Sequence, residues 1–326
     1  MASADHIKAL IKSHAEGDDL RFYAIALQVA AQAARSGHSK FAQELRDIVD
    51  ELRRQNPKVA TRVKPVTPLV QPRGELAGLL AVHYPKARLA DMALTSEIRD
   101  RIERVLREQR ERERLRVHGF APIRKLLLLG PPGTGKTMTA SVLAGELGLP
   151  LFTVQLHGLI TKYMGETAAK LRLVFDAIAE TRAVYLFDEF DALGSERASR
   201  DDVGEIRRVL NSFLQFLEQD ESDSVVLAAT NHPKMLDRAL FRRFDAAIEY
   251  DVPPPAVAEL LLRGRLSLLD TNEVSWPQVV SAAEGLSHAE IVRACEQAAK
   301  NVLLDDRTHV ATRDLAAAIT DRRIEG

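Results

Sequence analysis

The chain has 326 residues, 46% hydrophobic and 28% charged, which suits packed cores over two or three domains of about 150 residues and excludes disorder for most of its length. Lys+Arg 45 against Asp+Glu 46 leave a formal net charge of −1, so no global basic field exists to hold a nucleic-acid backbone. Aromatics are only 5%, which makes any aromatic on a loop conspicuous.

The single cysteine, Cys295, can form neither an intramolecular disulfide nor a zinc site by itself, and fits a reducing, cytoplasmic setting. No run approaches the roughly 18 apolar residues that cross a bilayer, and the first residues lack the basic-then-apolar layout of a signal peptide. Membrane and secreted classes are not expected.

Residues 1–56 read as a three-helix unit, because Ile7, Leu10 and Ile11, then Leu20, Tyr23, Ala24, Leu27 and Ala31, then Phe41, Leu45, Ile48, Val49 and Leu52 fall on helical faces. Gly17 and Gly37 sit in the two polar breaks between them. The stretch 57–88, with Pro65, Pro68 and Pro72, reads as a linker. From Leu94 to Val117 a helix is expected, with seven arginines from Arg101 to Arg116 interleaved by four glutamates, a pattern suited to ion pairing along its own face.

Residues 89–252 read as an α/β domain. Short apolar runs at 125–129, 151–156, 183–187, 225–229 and 246–250 alternate with helical stretches, which predicts a five-stranded parallel sheet flanked by helices. After Pro253-Pro254-Pro255 only helical patterns appear, so 253–326 is expected to be a helical lid domain.

Gly130-Pro131-Pro132-Gly133-Thr134-Gly135-Lys136-Thr137 follows the first of these strands and opens a helix, the context that G-x-x-x-x-G-K-[ST] requires. This is the P-loop NTPase signature. Backbone N–H groups from Pro132-Gly133-Thr134-Gly135-Lys136-Thr137-Met138 and the helix N-terminus are expected to cradle phosphates. Lys136 supplies a point charge for the β- and γ-phosphates, and the Thr137 hydroxyl is placed for Mg²⁺. The third strand ends in Asp188-Glu189, where open α/β sheets bind ligands. Asp188 would hold Mg²⁺ through its water shell, while Glu189 would polarise an attacking water. A further strand ends in Thr230-Asn231, and the Asn231 amide can bond both water and phosphate without adding charge.

Together these residues resemble an AAA+ ATPase, more narrowly the AAA clade that includes katanin, spastin and the proteasomal ATPases. Further support comes from Leu236-Asp237-Arg238-Ala239-Leu240-Phe241-Arg242-Arg243-Phe244-Asp245, which is similar to the clade's second homology region. The resemblance implies ATP and Mg²⁺ as cofactors. It makes Arg242 and Arg243 arginine fingers reaching a neighbouring subunit's site, and hence implies a homo-oligomeric ring, a hexamer. It places Asp91-Met92 against the adenine on one side. On the other side, Gly285-Leu286-Ser287-His288-Ala289-Glu290-Ile291 resembles the lid segment, with His288 where clade members carry glycine. Ser287 and Glu290 also form a capping box for the following helix.

Thr161-Lys162-Tyr163-Met164-Gly165-Glu166, expected to precede a helix starting near Thr167, is similar to the clade's first pore loop. Lys162, Tyr163, Met164 and Gly165 would then grip an unfolded polypeptide, the aromatic by apolar contact and the glycine by letting the loop swing. The resemblance thus implies a chaperone-like remodelling motor whose N-terminal unit selects substrate or docks a partner, with any proteolysis left to a separate protein, since no H-E-x-x-H occurs. An AAA+ module acting on DNA is the alternative. Tyr163-Met164, where a DNA-handling pore should carry cations, disfavours it despite Lys162.

Overall fold

The structure, a computed structural model, describes residues 71–159, 164–190, 202–233 and 238–325, together with Ala26, Val29 and Gln43. Contacts divide the chain into two units, Met1–Pro68 and Leu69–Gly326. In the first unit Ala26, Val29 and Gln43 are helical, and Ala26 and Val29 are buried. The rest of the expected three-helix unit, and the proline-bearing linker up to residue 70, lie outside the described residues.

The second unit carries a sheet of β1 (Leu80–His83), β2 (Lys125–Leu129), β3 (Leu151–Val154), β4 (Val184–Phe187), β5 (Val225–Thr230) and β6 (Ala246–Glu249) in the order β1-β3-β4-β5-β2-β6. The pairs β3–β4, β4–β5, β5–β2 and β2–β6 are parallel, and all five strands read from the sequence are present. A sixth strand corrects the expectation of five: β1 pairs antiparallel with β3, Leu80 opposite Val154 and His83 opposite Leu151. It lies inside the stretch 57–88 that reads as linker. Four residues on a sheet edge, only the first of them buried, are too few to show a period-2 pattern.

The parallel strands are apolar without interruption because both faces are covered. Side chains alternate between two cores: Leu127, Leu129, Tyr185, Phe187, Val226 and Ala228 face one, and Leu126, Leu128, Val184, Leu186, Val225 and Leu227 the other. The scarce aromatics concentrate in the first core, where Phe213 sits 4.8 Å from Phe187 and 4.6 Å from Phe190, ring centre to ring centre. Such pairs add about 0.5–1.5 kcal/mol each beyond area burial.

The helix expected over Leu94 to Val117 is two, α1 (Ser96–Arg110) and α2 (Arg112–Val117), separated at Glu111. Thr95 caps α1, accepting the Ile98 N–H at 3.4 Å. Its arginines pair along the helix only in part. Arg104 meets Glu108 at 2.9 Å, but Arg110 reaches Glu146 at 2.8 Å and Arg101 donates to the Ala247 carbonyl at 2.8 Å, so the basic row also clamps the helix to the domain.

Helices α3 (Lys136–Leu147), α4 (Leu156–Leu159), α5 (Met164–Glu180), α6 (Asp202–Gln219) and α7 (Arg238–Phe241) follow the strands. The start of α5 at Met164, rather than near Thr167, puts Met164 and Gly165 in its first turn, where the acidic Glu166 suits the helix N-terminus. The lid is α8 (Pro255–Arg265), α9 (Trp276–Ala282), α10 (His288–Leu304) and α11 (Thr312–Glu325), closing on its own core of Leu262, Val279, Ile291, Val302 and Leu315.

One crossing sets the approach to the site. A Cβ on Gly145 of α3 would stand 2.2 Å from the Ala87 carbonyl oxygen, and Arg88 donates to the Gly145 carbonyl at 2.8 Å. Gly264 of α8 has nothing within 4 Å of its Cβ position. A helical Gly→Ala ordinarily stabilises by about 1 kcal/mol. Gly264→Ala should follow that rule, whereas Gly145→Ala should destabilise by about 1–3 kcal/mol. Urea denaturation of both checks this, and a neutral or stabilising Gly145→Ala would be incompatible with the crossing described.

Candidate active site

Three neighbouring parallel strands deliver the chemistry. β2 runs into the glycine-rich loop, β4 into Asp188-Glu189 and β5 into Asn231, and because β4, β5 and β2 lie side by side, their C-terminal ends open on one cleft. The cleft has a volume of about 560 Å³. Residues 132–138, Asp188, Glu189 and Asn231 line it, as do Asp91 and Met92 from the core and His288 from the lid.

Lys136 is the first residue of α3, after the N-cap Gly135 with φ 107°. It is buried, and its Nζ donates to the carbonyl oxygens of Gly130 and Pro131, both at 2.7 Å. The Thr137 hydroxyl donates to Asp188 Oδ2 at 2.7 Å, bringing the helix and β4 together. The Glu189 N–H donates to Asp188 Oδ1 at 3.0 Å. Glu189 itself takes a φ of 51°, which turns the chain sharply after β4 and leaves its side chain exposed in the cleft.

The donor set fits Mg²⁺. No cluster of three or more His, Cys, Asp or Glu occurs among the described residues, so a tight protein cage is not offered. A hydroxyl beside one carboxylate suits an ion that keeps waters and takes its remaining oxygens from phosphates.

The lid closes on the loop through the start of α10. Ser287 Oγ accepts the Glu290 N–H at 3.3 Å, and Glu290 Oε2 accepts the Ser287 N–H at 2.6 Å, so the capping box read from the sequence is present. The Ala289 N–H then donates to the Gly133 carbonyl at 3.0 Å, and a Cβ on Gly133 would stand 2.7 Å from Ser287 Oγ. His288 lies between. Burial holds its imidazole below the ordinary 6.5, a shift that the Ala93 backbone partly offsets, and its Nδ1 has no hydrogen-bond partner among the described residues.

Arg242 and Arg243 do not join this cleft. Arg242 is exposed, and Arg243 pairs with Glu218 of α6. Thr161, Lys162 and Tyr163 lie outside the described residues, and of Met164 and Gly165 only the backbone placement in α5 is described. Sequence reasoning missed the lid wall formed by Leu261, Arg265, Val292 and Arg293. The signal was available: positions 288, 289, 292 and 293 share one helical face.

Residues 126–252 match the family model for the ATPase family associated with various cellular activities (AAA). Over 322 residues the chain is 33% identical to an uncharacterized AAA family ATPase of Sinorhizobium fredii, y4kL, covering 98% of this chain and 96% of that one. The chain belongs to the AAA family of ATPases. It is 32% identical over 260 residues to the ATP-dependent zinc metalloprotease FtsH 3 of Sphaerobacter thermophilus, and 34% identical over 234 residues to FtsH 1 of Methylacidiphilum infernorum. These matches cover 78% and 68% of this chain, but only 53% and 36% of the metalloproteases, so the AAA chain spans about half their length or less. Its fold is similar to the crystal structure of the FIGL-1 AAA domain, with a TM-score of 0.61 at 23% identity, covering 79% of this chain and 92% of that one. The protein binds and hydrolyses ATP.

The half-buried His288 gives this ATPase a pH signature. Its folded pKa lies below 6.5, so the folded state holds fewer protons than the unfolded chain as pH falls through 6.5. Stability is therefore present above that value and lost below it. Thermal melting of the wild type against His288→Gln from pH 7.5 to 5 should show the steeper acid loss in the wild type; parallel curves would exclude this assignment.

Proposed function

We propose that this ATPase is a protein-remodelling motor that works as a homo-oligomeric ring, a hexamer, and pulls polypeptide through its centre. The carrying observation is what its own cleft leaves out: the cations on the second homology region, Arg242 and Arg243, lie away from it. Beside Arg265 and Arg293 of the lid wall, the charge that builds on the γ-phosphate is met by Arg242 and Arg243 of a neighbouring subunit, a contribution of roughly 10³ or more in rate.

Within a subunit Lys136 neutralises the β- and γ-phosphates, and Asp188 with Thr137 holds Mg²⁺. The ion supplies charge neutralisation across those phosphates. Glu189 orients and polarises the attacking water, Asn231 bonds that water and the γ-phosphate, and Asp91, Met92 and His288 border the adenine. The names of the FtsH relatives, ATP-dependent proteases, support a polypeptide substrate. So does Tyr163-Met164 as an apolar grip, Tyr163 directly preceding α5 in sequence and Met164 opening it. Separate proteolysis by a partner is consistent with the absence of H-E-x-x-H. No helix among the described residues is long and apolar enough to cross a membrane. The lone Cys295 supports a cytoplasmic setting.

Glu189→Gln should retain ATP yet slow steady-state hydrolysis by about 10²-fold or more, and near-normal turnover would remove Glu189 from its role. Mixing Arg242→Ala with Lys136→Ala subunits should recover part of the activity that each lacks alone. No recovery at any ratio would count against shared sites. Tyr163→Ala should keep most ATPase activity while abolishing unfolding of a tagged reporter protein.

A further inference from the structure

Thr139 and Tyr250 lie beneath the phosphate loop and belong to none of its motifs. Thr139 is one turn into α3, Tyr250 directly follows β6, and both are buried, 0% and 2% exposed. Their hydroxyl oxygens are 2.6 Å apart. Thr139 Oγ1 also lies 3.1 Å from the Gly135 carbonyl oxygen, which can only accept. With one proton on each hydroxyl, the consistent assignment has Tyr250 donating to Thr139 and Thr139 donating to Gly135.

The Gly135 carbonyl therefore accepts twice, since the Thr139 N–H also reaches it at 2.9 Å. A threonine bonding back to the carbonyl four residues earlier is common in helices. A buried phenol donating to that threonine is not. Two bonds to one oxygen fix the peptide plane between Gly135 and Lys136. In a trans peptide the C=O and N–H point to opposite sides. Holding the carbonyl toward Thr139 thus turns the Lys136 N–H the other way, to the phosphate side of the loop.

Tyr250 grips the loop at its beginning as well. Its N–H donates to the Leu129 carbonyl at 2.7 Å, and its own carbonyl oxygen would stand 2.2 Å from a Cβ on Gly130. One residue thus braces the loop at its first glycine by backbone contact and at its last through Thr139. Thr139 Oγ1 also lies 4.0 Å from Met92 Sδ, on the segment that borders the adenine.

We propose that Tyr250 and Thr139 are positioning residues of the nucleotide site: their hydroxyl chain presets the Gly135–Lys136 peptide for phosphate, so binding does not have to order it. The proposal rests on the reading of the cleft as the ATP site. Burial pushes the Tyr250 phenol up to about 12, so the chain keeps its proton throughout the neutral range.

The test uses the full-length ATPase as Tyr250→Phe, Thr139→Val, the double variant and Thr139→Ser. Binding of ADP carrying a fluorescent ribose label is titrated, and KM for ATP and kcat are measured, with a melting curve for each variant. Tyr250→Phe and Thr139→Val should each weaken ADP binding and raise KM about three- to tenfold with kcat nearly unchanged. The double variant should be little worse than Thr139→Val, and Thr139→Ser should restore affinity. Unchanged ADP affinity and KM in Tyr250→Phe, even with a lowered melting temperature, would overturn the proposal and leave the pair a packing feature. Additive losses in the double variant would overturn the chain. Failure of the cleft reading itself looks different, because the wild type would then not bind the labelled ADP at all.

Discussion

Burial of the central sheet on both faces is the constraint from which the rest follows. With Leu126 to Leu129, Val184 to Phe187 and Val225 to Ala229 all at 5% exposure or less, a polar group within the strands has to be hydrogen-bonded, as the Tyr185 hydroxyl is to the Ala177 and Thr181 carbonyls at 2.8 and 3.0 Å. Chemistry is pushed to where the strands stop. Because β4, β5 and β2 are parallel neighbours, they stop on the same side, and the loop, the acid pair and Asn231 arrive together without any direct contact having to specify their meeting. The Thr137–Asp188 hydrogen bond then ties two of the three ends.

The same constraint explains which parts were legible in the sequence. Uninterrupted apolar runs announce covered parallel strands, and the glycine-rich loop is legible because its spacing, between a strand and a helix, lets backbone N–H groups converge on an anion. β1 was hidden because an edge strand is covered on fewer sides and needs only Leu80 and a neighbour to hold it. The break at Glu111 was hidden for a different reason: helical propensity runs straight through it, and Arg110 to Glu146 is a long-range pair that sequence spacing cannot announce. The Thr139–Tyr250 pair joins residues 111 apart, and neither alone signals anything.

On the side of the cleft proposed for adenine, the geometry depends on close backbone approaches rather than on side-chain chemistry. The turn Leu89–Asp91 is held from below by the Gly145 crossing and by Glu146, whose carboxylate accepts the Leu89 N–H at 3.3 Å. Opposite it, the start of α10 is fixed against Gly133 by one backbone bond from Ala289. This end of the cleft is thus made by two segments, each registered to the core through a glycine. Each glycine is specific because a methyl group would collide with backbone oxygen at Gly145 and with the capping serine at Gly133.

One short strand connects both halves of the proposed mechanism. β6 is preceded by Arg242, Arg243, Phe244 and Asp245, whose Oδ2 accepts the N–H groups of Arg124 and Lys125 at 2.9 and 2.8 Å, and it is followed directly by Tyr250 against the phosphate loop. Between those anchors it is registered to β2 residue by residue, Ala246 opposite Leu126 through Glu249 opposite Leu129. Four paired residues clamped at both ends have little freedom to stretch or slip, since a one-residue slip would expose the buried Ile248. The segment that carries the arginine pair and the residue that braces the subunit's own nucleotide loop are therefore two ends of one stiff element.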